Sequence, residues 1–286
     1  MIFEVFEDVL AELESSGADQ FGTVWTDQLL QALAGLERYY GNQNLRNPNR
    51  DLIDYSGLPT QAVYIFMYAI GRAEFTYQLL KKFREKHGSP LFGKESLNVT
   101  SIGGGPASEL VGLVRYLEEF DDEGVDEILY DVIDKEGDWD HLAELVVSKI
   151  PSDIEIILRF ERLDISDPNG IGGNTLEYDD LVMMSFFISE ICELPNAKAV
   201  KENLHELIDT MKHGGKLFYN DSNAYSFYMY MNHRARSVKG LSELYEVEDV
   251  IVFDYTDPGP TYLDYSETLD RTPHLSSKAV SKFYER

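Results

Sequence analysis

The chain has 286 residues, 43% of them hydrophobic and 12% aromatic, which is enough apolar material for one sizeable core with an appendage. Its formal charge of −26, from 25 basic and 51 acidic side chains, sets up a negative field that disfavours nucleic acid as a partner. A single cysteine, Cys192, excludes an intrachain disulfide and a thiolate metal cluster and fits a reducing compartment.

The opening MIFEVFEDVLAELESSG is acidic and amphipathic and lacks the basic start of a secretory signal. The longest apolar stretches, around 62–70 and 181–188, fall short of the ~20 residues that a membrane span needs, so a cytoplasmic protein is expected. Residues 1–90 read as a helical cap, with Phe3, Phe6, Val9 and Leu10 on one face and a second run over 60–82. Residues 40–59, rich in Asn, Gly, Arg and Pro, read as a loop, and the polar segment 81–90 marks a boundary to a second domain over 91–286.

There the pattern becomes α/β: short apolar runs alternate with amphipathic helices, as in a mostly parallel sheet with helices on both faces. The expected strands are 97–102, 127–133, 154–160, 180–187 and 216–220, with 250–255 and 279–284 as a sixth and a seventh. The expected helices are 106–120, 139–150 and 197–212, the last stopped by Gly214 and Gly215.

Three features at strand ends carry chemistry. Gly103, Gly104, Gly105 and Pro106 form a turn from the first strand into a helix, where glycine permits positive φ and the helix start offers unpaired N–H groups to a polar ligand. Without a ligand, the same turn is simply a tight β-to-α connection. Asp134 ends the second strand, where a carboxylate accepts hydrogen bonds from a ribose diol or else caps a helix. Asp164 and Ile165 follow the third strand, either against an adenine ring or as the start of a turn with Ser166.

In order, VTSIGGGPASELVG, ILYDVIDKEGDW, RFERLDISD, DDLVMMSFF and HGGKLFYNDSN resemble the motifs of class I, Rossmann-like methyltransferases that use S-adenosylmethionine. The resemblance covers about residues 97–223 and implies a seven-stranded sheet whose last strand is antiparallel. It further implies that Gly103, Gly104, Gly105, Pro106, Asp134, Lys135, Asp164, Ile165, Ser185 and Phe186 line a cofactor cleft, with S-adenosylhomocysteine as the product and no metal. The chain departs from the pattern at Ser101, where the family often has an acid, and at Ala107, the third glycine position. The methionine ammonium then falls to backbone carbonyls or to another acid such as Glu109. A nicotinamide site fits less well, because Ser108 replaces the third glycine of the dinucleotide fingerprint and Asp134 lies beyond its ~20-residue spacing.

Methyl transfer from a sulfonium needs positioning more than a dedicated base. Ser185, Asn220 and Asp221 are the candidates to remove a proton, with His233 more remote. The aromatic run 225–231 either grips a substrate or packs in the core, and the helices bearing Arg72, Glu74 and Tyr77 either form a lid or cover the sheet. Three function classes stay open: a small-molecule methyltransferase, favoured by the acidity; a methyltransferase for protein or RNA, for which Arg234, Arg236 and Lys239 are the nearest basic cluster; and a scaffold without turnover.

Overall fold

The computed structural model describes residues 1–40, 53–88, 90–169, 171–191, 196–222, 240–252, 258–274 and 276–286. Its centre is a seven-stranded sheet in the order β3-β2-β1-β4-β5-β7-β6. The strands are β1 (Ser96–Ile102), β2 (Glu127–Asp134), β3 (Glu155–Arg162), β4 (Leu181–Ser185), β5 (Lys216–Ser222), β6 (Ser242–Val252) and β7 (Ser276–Glu285). The first five run parallel, and β7 lies antiparallel between β5 and β6. Every residue of β4 is buried, as a central strand covered on both faces requires.

Before the sheet come α1 (Ile2–Phe21), α2 (Trp25–Tyr40), α3 (Leu58–Tyr64) and α4 (Ile70–His87), the last two joined through one π-helical segment, Ile65–Ala69. Helix α5 (Ser108–Glu119) follows β1 and α6 (Trp139–Ser148) follows β2. After β4 come the single turn α7 (Ile188–Ile191) and α8 (Ala197–Asp209), and α9 (Pro260–Leu269) precedes β7.

The two faces are covered unequally. Side chains of α1 to α6 and α9 form one continuous apolar cluster with Leu97, Val99, Met183 and Phe218 of the sheet. On the other face Val182, Met184 and Leu217 meet Val200, Leu204, Leu207 and Ile208 of α8. Glu123, only 1% exposed, anchors the entry to β1: it pairs with Arg84 of α4 at 2.6 Å, accepts bonds from the Leu91 and Phe92 amides and bonds the Tyr116 hydroxyl. A buried charge is tolerated there because its oxygens are met by donors.

The α/β architecture, the seven strands and the antiparallel last strand agree with the sequence reading. Several boundaries differ. Strand β4 stops at Ser185 because Phe186 turns to a φ of 54°. Strand β6 begins at Ser242, well before the expected 250, and helix α9 was not expected at all. The aromatic run 225–231, His233, the basic cluster Arg234, Arg236 and Lys239, and Cys192 lie outside the described residues. Among the described residues, no helix is long and apolar enough to cross a membrane.

Candidate functional site

At the C-terminal edge of the parallel strands lies a cavity of about 250 Å³. Its floor is the turn between β1 and α5. Gly103 has a φ of 68° and Gly105 one of 48°, and the Gly103 amide donates to the Ile133 carbonyl at 2.7 Å, which ties the turn to β2. A Cβ on Gly103 would overlap the Phe187 ring, and one on Gly104 would come within 2.7 Å of the Ser101 hydroxyl, so bulk is excluded where the backbone faces the cavity.

Asp134 closes the side at the end of β2. Its two oxygens accept from the Gly105 amide at 3.1 Å and the Glu136 amide at 3.0 Å. Burial nevertheless outweighs these bonds and pushes its carboxyl up to about 6. Lys135 and Glu136 sit beside it, 3.6 Å from each other. Past β3, Leu163 and Ile165 form an apolar wall, and exposed Asp164 stands at the rim. Asp164 Oδ1 accepts from the Ser166 amide at 2.8 Å and hydroxyl at 2.7 Å, the turn geometry that its sequence neighbours suggested.

Ser185 and Phe186 enter from the end of β4. Behind them Asn220, fully buried, donates through Nδ2 to Ser185 Oγ at 3.1 Å, and the Ser185 hydroxyl in turn bonds Glu109 of α5. Glu109 is 4% exposed yet lines the cavity, and burial pushes its carboxyl up to about 7 against the opposing pull of Arg72. Arg72 reaches in from α4: its Nη1 donates to the Ser185 carbonyl at 3.3 Å and its guanidinium lies 4.1 Å from the centre of the Phe186 ring. Ser108, 2% exposed at the start of α5, turns a hydroxyl without a hydrogen-bond partner onto the same space.

The N-terminal helices supply the roof. Tyr39 and Tyr40 end α2, Tyr55 precedes α3 and Tyr64 ends it, and all four line the cavity with Trp139 of α6. Tyr55 and Tyr64 each lie against Trp139, with ring centres 5.0 and 5.1 Å away. Tyr40 donates to Glu190 Oε1 at 3.0 Å and shares a 2.7 Å hydrogen bond with Tyr55.

Of the residues singled out in the sequence, Gly103, Gly104, Gly105, Asp134, Lys135, Asp164, Ile165, Ser185 and Phe186 therefore meet around one space. Pro106 does not line it. Asn220 stands behind Ser185, and Asp221 is buried under α7, accepting from the Ser189 amide at 2.9 Å. Arg72 points in, whereas Glu74 and Tyr77 face α5, bonding Arg115 and Glu119. Sequence reasoning missed the tyrosine roof, Trp139 and Glu190. A signal was present in Tyr64, Tyr68 and Arg72, spaced by four along one helical face within an otherwise apolar run.

The fold is the one that the resemblance to class I methyltransferases implies. No family model matches the chain, and no curated protein matches it in sequence. Solved structures that resemble it include a provisionally assigned methyltransferase from Thermoplasma acidophilum, 17% identical with a TM-score of 0.41 over 68% of this chain and 69% of that one. A provisionally assigned sarcosine dimethylglycine methyltransferase from Galdieria sulphuraria is 10% identical, with a TM-score of 0.42 over 89% of this chain and 97% of its own. Precorrin-6y C5,15-methyltransferase from Geobacter metallireducens is 11% identical, with a TM-score of 0.38 over 68% and 82%.

Proposed function

We propose that the chain is a methyltransferase that uses S-adenosylmethionine, releases S-adenosylhomocysteine and acts on a small-molecule acceptor. The observation that carries this reading is the convergence of the glycine turn, Asp134, Ile165 and Ser185 on one cavity that also holds a buried acid, Glu109, and a buried base, Arg72.

The residues fit the group. The turn leaves no room for a side chain at Gly103, and the buried Ser108 hydroxyl wants a partner that a polar ligand supplies. Asp134 suits a ribose diol, being fixed by two amides while keeping acceptor capacity. Leu163 and Ile165 offer an apolar surface to a purine. Ser101 has no charge to give an ammonium, but Glu109 has, and Arg72 beside it suits a carboxylate. When bound, the cofactor supplies an electrophilic methyl group and a good leaving group. The protein's part is to align the acceptor and to keep water out, which the tyrosine roof over the turn favours. That roof also favours a compact acceptor over a macromolecule.

Calorimetric titration with S-adenosylmethionine, S-adenosylhomocysteine and NAD tests the reading. Binding of the first two and not of NAD is expected. Binding of NAD alone overturns the cofactor assignment, and binding of none of the three leaves a scaffold without turnover.

A further inference from the structure

The cofactor reading employs Asp134, Glu109 and Arg72; of the other acids that line the cavity, Glu136 lies beside Lys135, Asp164 holds its own turn at the rim, and Glu190 faces the roof. Glu190 stands on α7, directly after the strand end that carries Ser185 and Phe186, in the wall of the same cavity. Tyr40 holds its Oε1 at 3.0 Å, and Tyr55 holds Tyr40 at 2.7 Å, so its carboxylate is tied to the roof. Arg72, Tyr40, Lys135 and Asp221 are the ionisable groups that act on it most strongly, and Asp134, Tyr55, Tyr64 and Tyr68 also feel its charge. Lys135 is already beside Glu136, and Arg72 also faces Glu109, so acids outnumber bases around this space.

Rings flank the acid. Tyr40 bonds it directly, and Tyr55, Tyr64 and Trp139 line the same cavity as one aromatic surface, with ring centres 5.0 to 5.8 Å apart. A carboxylate framed by aromatic rings is the chemistry that selects a basic nitrogen attached to a flat apolar group, through ion pairing and cation–π contact.

Resting on the proposed cofactor, we infer that the acceptor is a small arylalkylamine whose nitrogen is held by Glu190, and that Glu190 takes the proton this nitrogen loses. The bound ammonium first passes one proton to the Glu190 carboxylate, which frees the nitrogen lone pair to form the new N–C bond to the methyl group. The methyl–sulfur bond breaks, its electron pair stays on sulfur, and the sulfonium becomes a neutral thioether. The nitrogen, now bearing an extra bond, leaves as the methylated ammonium, and the proton on Glu190 passes to solvent. Burial raises the Glu190 carboxyl from its ordinary range, which brings it closer to the amine it must deprotonate.

The test uses the full chain, with 2-phenylethylamine and phenylacetate as probes that share a ring but differ in charge. S-adenosylhomocysteine is titrated first. In its presence the amine binds and the acid does not, and Glu190→Gln weakens amine binding by about 10- to 100-fold, the loss expected for a charged hydrogen bond. The same variant keeps its S-adenosylhomocysteine affinity, which shows that it folds. Tyr40→Phe, which removes the hydrogen bond to Glu190 Oε1, weakens amine binding less. Preference for phenylacetate, binding of neither probe, or unchanged amine affinity in Glu190→Gln overturns the inference. Failure of S-adenosylhomocysteine to bind overturns the cofactor reading instead, and amine titration of the protein alone still reports on Glu190.

Discussion

Burial takes Glu109 out of water while Arg72 and the Ser185 hydroxyl favour its charged form; burial wins, and the carboxyl is pushed from 4.5 up to about 7. Between those values the folded chain holds a proton that the unfolded chain has lost. Stability therefore falls as pH rises through this window, by as much as about 3 kcal/mol, and the cost is complete above it. Asp134 and Asp179, each pushed to about 6, and Glu190 act in the same direction, while His274, pushed below its ordinary 6.5 by partial desolvation, acts oppositely, so the Glu109 contribution is read as the difference between the parent and a variant. Calorimetric melting between about pH 6 and pH 8 should show the melting temperature of the parent falling more steeply with pH than that of Glu109→Gln. Equal slopes in both proteins would mean that Glu109 ionises as freely as a solvated acid. At this scale Asp134 was legible because it ends a strand beside a glycine turn. Glu109 was legible only as an acid of the following helix, since its burial depends on α4 lying across it.

Helices α4 and α5 approach so closely that a Cβ on Gly112 would overlap the Ala73 carbonyl oxygen and lie 2.9 Å from Thr76 Cβ. Arg72 is the neighbour of Ala73, so this crossing also sets how far the guanidinium reaches over the glycine turn. Gly112→Ala should destabilise the protein by about 1–3 kcal/mol in urea unfolding and weaken S-adenosylhomocysteine binding as Arg72 shifts. Gly35→Ala, on α2 with nothing within 4 Å of the added methyl, should stabilise by about 0.5–1 kcal/mol, and the pair separates close packing from helix propensity. Elements with one unmistakable period, β1 to β5 with α5, α6 and α8, were legible to within a turn or so. Strand β6 was not, because it is an edge strand in which SELYEVEDVIV interleaves acids with apolar residues and shifts register between Glu243 and Tyr245. Helix α9 carries Tyr262, Tyr265 and Leu269 on one buried face, a helical spacing that was present in the sequence but overlooked. The roof was legible only as the spacing of Tyr64, Tyr68 and Arg72: Tyr40 and Tyr55 lie far along the chain from Glu190 and Trp139, and only the packing of α2 and α3 on the sheet brings them together.

Over the whole molecule the acids outnumber the bases two to one, leaving a formal charge of −26. Ion pairs such as Lys282 with Glu243 and Glu246, or Lys212 and Lys94 with Asp180, relieve this locally, and each basic group there already serves two acids or shares one. Most of the excess stays on the surface as mutual repulsion, which compaction increases and mobile ions screen over a Debye length of about 10 Å at 0.1 M salt. The melting temperature should therefore rise by a few degrees as sodium chloride goes from about 0.02 M to about 0.5 M, and potassium chloride should act alike because screening depends on ionic strength and not on the cation. The cavity responds differently. Glu109, Glu190 and Arg72 face one another inside the protein, where salt penetrates little, so S-adenosylhomocysteine affinity should change far less than stability across the same range. An affinity that falls in step with salt would mean that surface charge, and not the enclosed pair of Glu109 and Arg72, dominates the binding of the ligand.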